Sequence, residues 1–302
     1  MTGLPSRVAI CEVSPRDGLQ NEKNLLSTAD KLTLIARLID AGATRIEAAS
    51  FVNPHRVPQM ADAEAVMSGV PRNRGVRWSG LALNTRGVER AIAAGCDEIT
   101  VVVPVSEAFS QRNQGHSVAA GRANWAKGAA LIHAAGRLAT LCLATAFGCP
   151  FEGQIDPALV ADIAAEGATS GPAEIVLADT IGVATPGQVT GMFQRLAAAA
   201  PGVTLRGHFH NTRNTGYANA YAAIMAGATV LDSSAGGIGG CPFAPRATGN
   251  IATEDLLYML DGLGIMHGMD KDGIAALDPW LAGRLGHPVP GLLGKAGPWP
   301  PG

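Results

Sequence analysis

The sequence contains few cysteines, and they form no recognisable pattern. None of the five has the CxxC spacing of a zinc or thiol-exchange site, and their odd number and wide scatter favour a reducing compartment. The five are Cys11, Cys96, Cys142, Cys149 and Cys241.

An excess of basic charge is also absent. The chain has 23 Lys and Arg residues against 25 Asp and Glu residues, a formal net charge of −2. Such a chain has no basic field to hold a phosphate backbone, so we expect no nucleic-acid partner.

Long uninterrupted apolar segments are missing as well. Residues 1–7 contain no apolar signal core, and the charge-free runs 138–151 and 214–231 are interrupted by Gly, Pro or Asn. A transmembrane helix needs about 20 consecutive apolar residues. We therefore expect no membrane span and a cytoplasmic location.

What the chain does have is enough apolar residues for a large core. Hydrophobic residues make up 47% of its 302 residues and charged residues only 16%, which excludes a disordered chain. Its 38 glycines indicate many tight turns.

Short β-branched runs alternate with Ala-rich helical stretches along the chain, which predicts eight strand–helix units. Eight units in about 250 residues favour a (β/α)₈ (TIM) barrel over a doubly wound sheet of five or six strands. We assign residues 1–275 to the catalytic barrel and residues 276–302 to a loosely packed Gly/Pro-rich tail. The predicted strands are 8–13, 44–48, 76–83, 98–103, 139–145, 174–178, 204–208 and 229–232. The predicted helices include 28–41, 86–94, 117–135, 157–169, 186–199 and 215–226.

Two motifs lie where the catalytic face of such a barrel is expected. After the first strand, Arg16 and Asp17 present a guanidinium and a carboxylate side by side, although this could be a turn held by its own Asp and Arg. Near the end of the seventh strand, His208 and His210 have the i, i+2 spacing that points two imidazoles the same way. With a carboxylate they could ligate a catalytic divalent ion, or they could be hydrogen-bonded core residues.

A glycine-rich loop follows the eighth strand and carries Cys241. Residues 235–245 could be a mobile lid that delivers a thiol, or a structural turn with an incidental cysteine. Further along, Asn250 could offer its amide oxygen to a metal. Glu47 and Asp179 lie at the ends of predicted strands, where each could carry a proton or form an ion pair with Arg16.

Several long segments of the chain resemble 3-hydroxy-3-methylglutaryl-CoA lyases, over about residues 8–264. They are SPRDGLQNEK (14–23), IEAASFVNP (46–54), VPQMAD (57–62), GCPFEG (148–153), ADTIGVATPG (178–187) and the stretch 232–262. The resemblance implies a divalent cation, Mg²⁺ or Mn²⁺, held by Asp17, His208, His210 and Asn250. It also implies that Arg16 stabilises the enolate oxygen, that Glu47 and Asp179 belong to the catalytic network, and that Cys241 is a catalytic thiol.

The implied reaction is the cleavage of 3-hydroxy-3-methylglutaryl-CoA to acetyl-CoA and acetoacetate. The segment after the two histidines departs from the family pattern, with Asn211 in place of an Asp and an added Arg213. This departure leaves open a related acyl-CoA substrate such as citramalyl-CoA. A Claisen or aldol synthase and a non-catalytic acyl-CoA-binding barrel are further alternatives, and a homo-oligomer is also left open.

Overall fold

In the computed structural model, which describes residues 3–240, 249–297 and 299, eight parallel strands close into a barrel. Each strand pairs with the next along the chain, and the last pairs with the first. All eight predicted strands are confirmed, with ends that differ by no more than two residues. They are β1 (Ala9–Glu12), β2 (Arg45–Ser50), β3 (Arg77–Ala82), β4 (Glu98–Pro104), β5 (Leu138–Ala144), β6 (Glu174–Asp179), β7 (Thr204–Phe209) and β8 (Val230–Ser233).

Helices follow the strands, and most of them cover the outside of the barrel. They are α1 (Thr28–Asp40), α2 (Ala63–Gly69), α3 (Thr85–Ala93), α4 (Glu107–Gln114), α5 (Val118–Ala134), α6 (Pro157–Ala168), α7 (Pro186–Ala199), α8 (Gly216–Met225), α9 (Thr253–Gly262), α10 (Lys271–Ala275), α11 (Asp278–Leu285) and α12 (Leu293–Ala296). A short hairpin, Gly148–Cys149 with Gly153–Gln154, follows β5.

Local sequence signals determine where these helices begin and end. Helix α1 begins after Ser27, whose side chain accepts a hydrogen bond from the Asp30 amide. It ends before Gly42, whose φ of 90° is the left-handed conformation that glycine adopts readily. A Cβ at this position would also lie 2.7 Å from the carbonyl oxygen of Gly268.

The apolar core lies between the strands and the helices. Ile46 of β2 and Leu177 of β6 are buried there with Leu34, Leu38 and Phe193 from the helices. Because side chains alternate along a strand, the neighbours of Ile46 point to the inside of the barrel. That interior is lined partly by charged side chains, which form the base of the site described below.

The prediction of a loosely packed tail is wrong for its first part. Helix α11 spans Asp278–Leu285, and Leu281, Leu285 and Val289 are buried in the main core. The Gly and Pro content conceals this helix, in which Pro279 occupies the first turn and two leucines lie four residues apart on one face. The proposed boundary after residue 275 remains a prediction. In the described part of the chain, no helix has the length and apolar character needed to cross a membrane.

Candidate active site

A cavity of about 570 Å³ opens at the carboxyl ends of the barrel strands, where TIM-barrel enzymes carry their active sites. Its volume is within the usual range for small-molecule sites. Among the predicted site residues, Arg16, Asp17, Glu47, His208 and His210 line this cavity.

Arg16 links two carboxylates at the wall of the cavity. It lies in a tight π-helical turn, Ser14–Gly18, which directly follows β1. Its Nη1 donates to Asp17 Oδ1 at 2.5 Å, and its Nε donates to Glu47 Oε1 at 2.5 Å. Glu47 lies inside β2, next to a bulge between Glu47 and Ala49. The structure thus forms the ion pair between Arg16 and Glu47 that was one of the predicted alternatives.

Both charges of the Arg16–Asp17 pair are stabilised although the two side chains are buried. Burial favours the neutral form of Arg16, but Asp17 and Glu47 outweigh it and raise the pKa of the guanidinium. For Asp17, burial favours protonation, but Arg16 and the two histidines dominate and hold its pKa well below the usual range. Asp17 is therefore a carboxylate at neutral pH.

The second carboxylate oxygen of Asp17 faces His208 and His210. Asp17 Oδ2 lies 3.8 Å from the Nε2 atom of each histidine, and the two Nε2 atoms are 3.2 Å apart. One ligand atom from each of the three residues lies within 4.8 Å of the other two. The i, i+2 spacing of His208 in β7 and His210 just after it therefore brings both imidazoles to one point, as predicted.

Asn250 also reaches this triad, but through its amide nitrogen. Nδ2 donates to Asp17 Oδ2 at 2.8 Å and to the carbonyl oxygen of Ile238 at 3.1 Å. Ligation through the amide oxygen would require the opposite orientation of the amide group. The predicted role of Asn250 as a metal ligand therefore stays a prediction.

A network of buried charges lies beneath the triad. Asp232 Oδ2 lies 3.0 Å from His208 Nδ1, and Asp232 Oδ1 accepts a hydrogen bond from Arg206. Arg206 contacts Glu98 at 3.2 Å, and Glu98 in turn accepts from Arg45 at 2.6 Å. Arg45 also pairs with Glu174 at 2.5 Å.

Sequence reasoning missed this network. The signal available was the presence of charged residues at alternate positions of otherwise apolar strands, as in Arg45 and Glu47 of β2 or Arg206 and His208 of β7. Charged side chains are rarely buried unless they are paired, so this alternation indicates an ionic barrel interior.

The charge of the site fits a divalent cation. With both imidazoles neutral, as metal ligation requires, the buried arginines and carboxylates of the site and of the network beneath it are three guanidinium groups and five carboxylates, a formal charge of −2. Burial opposes ionisation of Glu98 and Asp232, but the neighbouring arginines lower the pKa of both carboxyls. Two imidazoles and a carboxylate suit several divalent metals, and an ion of charge +2 would neutralise the group.

Asp179 does not line the cavity as the described residues define it. The two carboxylate oxygens of Asp179 accept hydrogen bonds from the Val183 and Ala184 amides at 2.9 and 3.0 Å, and the next residue, Thr180, lines the cavity instead. Cys241 lies outside the described residues, as do residues 242–245 of the predicted lid. The catalytic roles of both residues stay predictions.

Asn211 and Arg213, the two departures from the family pattern, both form hydrogen bonds with backbone groups of nearby residues. Asn211 Oδ1 accepts from the Gly216 amide at 3.0 Å at the start of α8, and Arg213 donates to the Gly182 carbonyl oxygen at 2.8 Å. Neither side chain lines the cavity as the described residues define it. The geometry therefore gives no direct route by which they would contact a substrate.

Fold and site together define a TIM-barrel enzyme with a candidate metal centre at its catalytic face. Comparison with known proteins then identifies the family: the HMGL-like family model matches residues 7–279. The chain belongs to the HMGL-like family and is a carbon–carbon lyase of the hydroxymethylglutaryl-CoA lyase type.

Individual relatives carry different names. The (R)-citramalyl-CoA lyase of Chloroflexus aurantiacus is 43% identical over 96% of this chain and 95% of its own length. The mitochondrial hydroxymethylglutaryl-CoA lyase of Mus musculus is also 43% identical, over 98% of this chain and 91% of its own. An Acinetobacter baumannii HMG-CoA lyase, solved with coenzyme A and 3-methylmalate, superimposes with a TM-score of 0.94 at 38% identity and covers 99% of this chain and 98% of its own.

Proposed function

We propose that this protein cleaves a tertiary 3-hydroxyacyl-CoA with the help of a divalent cation and releases acetyl-CoA and an oxo acid. The observation that carries the proposal is the position of Arg16 beside the Asp17–His208–His210 triad in the wall of one cavity. The cleavage needs both a cation and a fixed positive side chain, because negative charge develops at two places.

The reaction breaks the bond between C2 and C3 of the acyl chain. The 3-hydroxyl proton passes to a base, and C3 becomes a carbonyl carbon. The electron pair of the broken bond forms the enolate of acetyl-CoA, which then takes up a proton at C2. The two products together contain all the atoms of the substrate, so the reaction needs no oxidant or reductant.

Asp17, His208 and His210 would hold the cation, Mg²⁺ or Mn²⁺, with Asn250 as the predicted fourth ligand. Such an ion supplies Lewis acidity that lowers the pKa of the 3-hydroxyl group. Asp232 fixes the ring of His208 through Nδ1, which leaves Nε2 directed to the triad.

Arg16 stabilises the negative charge that develops on the thioester oxygen. Its guanidinium is held by Asp17 and Glu47, so its orientation is set before the substrate binds. Glu47 is the stronger candidate for the base because it lines the cavity, whereas backbone amides occupy both carboxylate oxygens of Asp179. Cys241 is the proposed proton donor to C2 on the basis of the resemblance alone.

Two substrates agree with this chemistry, 3-hydroxy-3-methylglutaryl-CoA and citramalyl-CoA. Relatives with these two activities in their names are equally similar to this chain, at 43% identity. Overall similarity therefore does not choose between them.

A direct assay tests the proposal. Purified protein is treated with a chelator, and acetyl-CoA release from both thioesters is measured before and after addition of Mg²⁺ or Mn²⁺. We expect turnover only with the cation, and a loss of at least about 10²-fold in the His208→Ala variant. His133→Ala, at an exposed position on α5, serves as the matched control and should retain activity. Full activity in the cation-free protein would contradict the proposal.

A further inference from the structure

A groove lined by arginines opens at the amino-terminal face of the barrel, on the side opposite to the candidate active site. It lies where β3, β4 and β5 begin, beside the end of α3. The charged residues that line it are Arg72, Arg77, Asp97 and Arg137, so its formal charge is +2 in a chain whose formal net charge is −2. We call this surface the arginine groove.

Arg72 is fixed in the wall of the groove by backbone carbonyl groups. Its Nη1 donates to the carbonyl oxygen of Gly95 at 2.6 Å, and its Nη2 donates to those of Met67 and Ala94 at 3.0 Å. These bonds use three of the five N–H groups of the guanidinium. Because all three partners are uncharged, they orient the side chain without balancing its positive charge.

Arg77 and Arg137 have few partners of their own. Arg77 forms no hydrogen bond with the described residues, and the carboxylate oxygen nearest to its Nη1, Glu98 Oε2, is 4.0 Å away. Arg137 Nη1 donates to Asp97 Oδ1 at 3.3 Å. The other oxygen of Asp97 accepts from the Trp78 amide at 3.0 Å. One carboxylate is thus shared between an arginine and a backbone amide, and it cannot balance three guanidinium groups.

The polar groups that remain free in the groove are mainly hydrogen-bond donors. Backbone carbonyl oxygens of its wall already accept from Arg72, and both oxygens of Asp97 are engaged. The N–H groups of Arg77 are unpaired among the described residues. Trp78, which also lines the groove, has a buried indole Nε1 without an acceptor in the same part of the chain. Such a set of donors suits an anion that is rich in acceptor oxygens.

We propose that the arginine groove binds a phosphate group, either free phosphate or a phosphate monoester, between Arg72, Arg77 and Arg137. The excess of two positive charges matches the charge of a phosphate monoester near neutral pH, which is about −1.5 to −2. A monocarboxylate offers fewer oxygens and a single charge. Guanidinium groups bind phosphate oxygens through paired hydrogen bonds. Because the groove lies on the face opposite to the cavity, the inference does not depend on the proposed function.

Isothermal titration calorimetry with inorganic phosphate, glycerol 3-phosphate and acetate tests this inference. The purified full chain is used at constant ionic strength and without added divalent cation, because such a cation would itself bind phosphate. We expect one phosphate to bind per chain, and acetate to bind at least about tenfold more weakly, since it forms fewer hydrogen bonds to the charged groups. Stronger binding of glycerol 3-phosphate than of inorganic phosphate would identify a monoester as the ligand, and the reverse order would identify free phosphate. Equal affinities for acetate and phosphate, or no measurable binding at millimolar phosphate, would overturn the inference.

Variants of the arginines locate the site. Arg77→Gln removes an unpaired guanidinium and should weaken phosphate binding by at least about tenfold, whereas Arg77→Lys keeps the charge and should lose less. Arg74→Gln is the matched control, because Arg74 is a nearby exposed arginine that pairs with Asp40 at 2.9 Å and does not line the groove. Circular dichroism and thermal unfolding verify that the variants are folded. Equal affinities in folded Arg77→Gln and Arg74→Gln would show that phosphate binds elsewhere and would also overturn the inference.

Discussion

Asp232 Oδ2 lies 3.0 Å from Nδ1 of His208, while Nε2 of the same ring faces Asp17 and His210. The other oxygen of Asp232 accepts from Arg206, which is fully buried and paired with Glu98. The orientation of one imidazole in the triad is therefore set by a chain of charged contacts from the base of the barrel.

Asp232→Asn should weaken cation binding, because an amide cannot supply the charge that orients and polarises the His208 ring. We expect the affinity for Mn²⁺ to fall about 10- to 100-fold, as is typical when a partner of a metal-bound histidine is replaced. Isothermal titration calorimetry measures this without reference to turnover. Asp162→Asn, on the exposed face of α6, is the matched control and should bind Mn²⁺ like the parent. An equal affinity in the two variants would mean that Asp232 has only a packing role.

The Arg16→Lys variant tests whether Arg16 acts through its positive charge alone or also through the planar shape of its guanidinium group. Lysine keeps the positive charge but cannot bridge Asp17 and Glu47 with a planar group. We expect kcat to fall by at least about tenfold with a much smaller change in KM, since the lost contact acts mainly in the transition state. Steady-state kinetics of Arg16→Lys beside Arg86→Lys, an exposed control on α3, measures the two parameters. If only KM rises, Arg16 anchors the substrate and does not stabilise the enolate.

Glu254 and Asp278 form a pair of buried acids between the barrel and the C-terminal segment. Glu254 Oε2 accepts from the Gly236 amide at 3.0 Å, but its Oε1 and both oxygens of Asp278 have no hydrogen-bond partner among the described residues. Burial, and then the charge of Asp278, raises the pKa of Glu254 to about 8. Burial and the nearby Asp255 raise the pKa of Asp278 to about 6, although Lys295 acts in the opposite direction.

These shifts predict that the free energy of unfolding falls as pH rises. Each acid binds its proton more tightly in the folded than in the unfolded chain. Its contribution to the free energy of unfolding is therefore complete at pH values below its ordinary pKa, and it is lost as the pH rises to the pKa of the group in the folded chain. For Glu254 the loss extends from about pH 4.5 to about pH 8. Glu254→Gln imitates the protonated acid. At pH 9 the free energy of unfolding of this variant should exceed that of the parent protein by at least about 1 kcal/mol. Urea unfolding from pH 5 to pH 9 measures this. A parallel pH dependence of the two proteins would refute the prediction.

The sequence allowed the barrel and most of the triad to be predicted, because both depend on local periodicity. Alternating apolar runs predicted all eight strands, and the i, i+2 spacing of His208 and His210 predicted that their rings converge. The ionic network through Arg206 and Glu98 was not predicted, because the two residues are 108 positions apart and no local sequence pattern indicates that they pair. The hydrogen bonds of Asp179 to its own loop were also not predicted. An Asp at the end of a strand can either carry a proton in catalysis or hold its loop through hydrogen bonds from backbone amides, and the residue type does not distinguish the two roles.

The packing of α11 leads to a last prediction, on stability. Leu281 is completely buried in the main core, whereas Leu292, eleven residues further on, is 62% exposed. Leu281→Ala should lower the free energy of unfolding by about 2–5 kcal/mol, because it removes buried methyl groups and leaves a cavity. Leu292→Ala makes the same chemical change at the surface and should cost less than about 0.5 kcal/mol. Urea unfolding of the two variants measures the difference. Since a loosely packed tail would make the two substitutions equally mild, a small effect of Leu281→Ala would show that the segment after residue 275 is not part of the core.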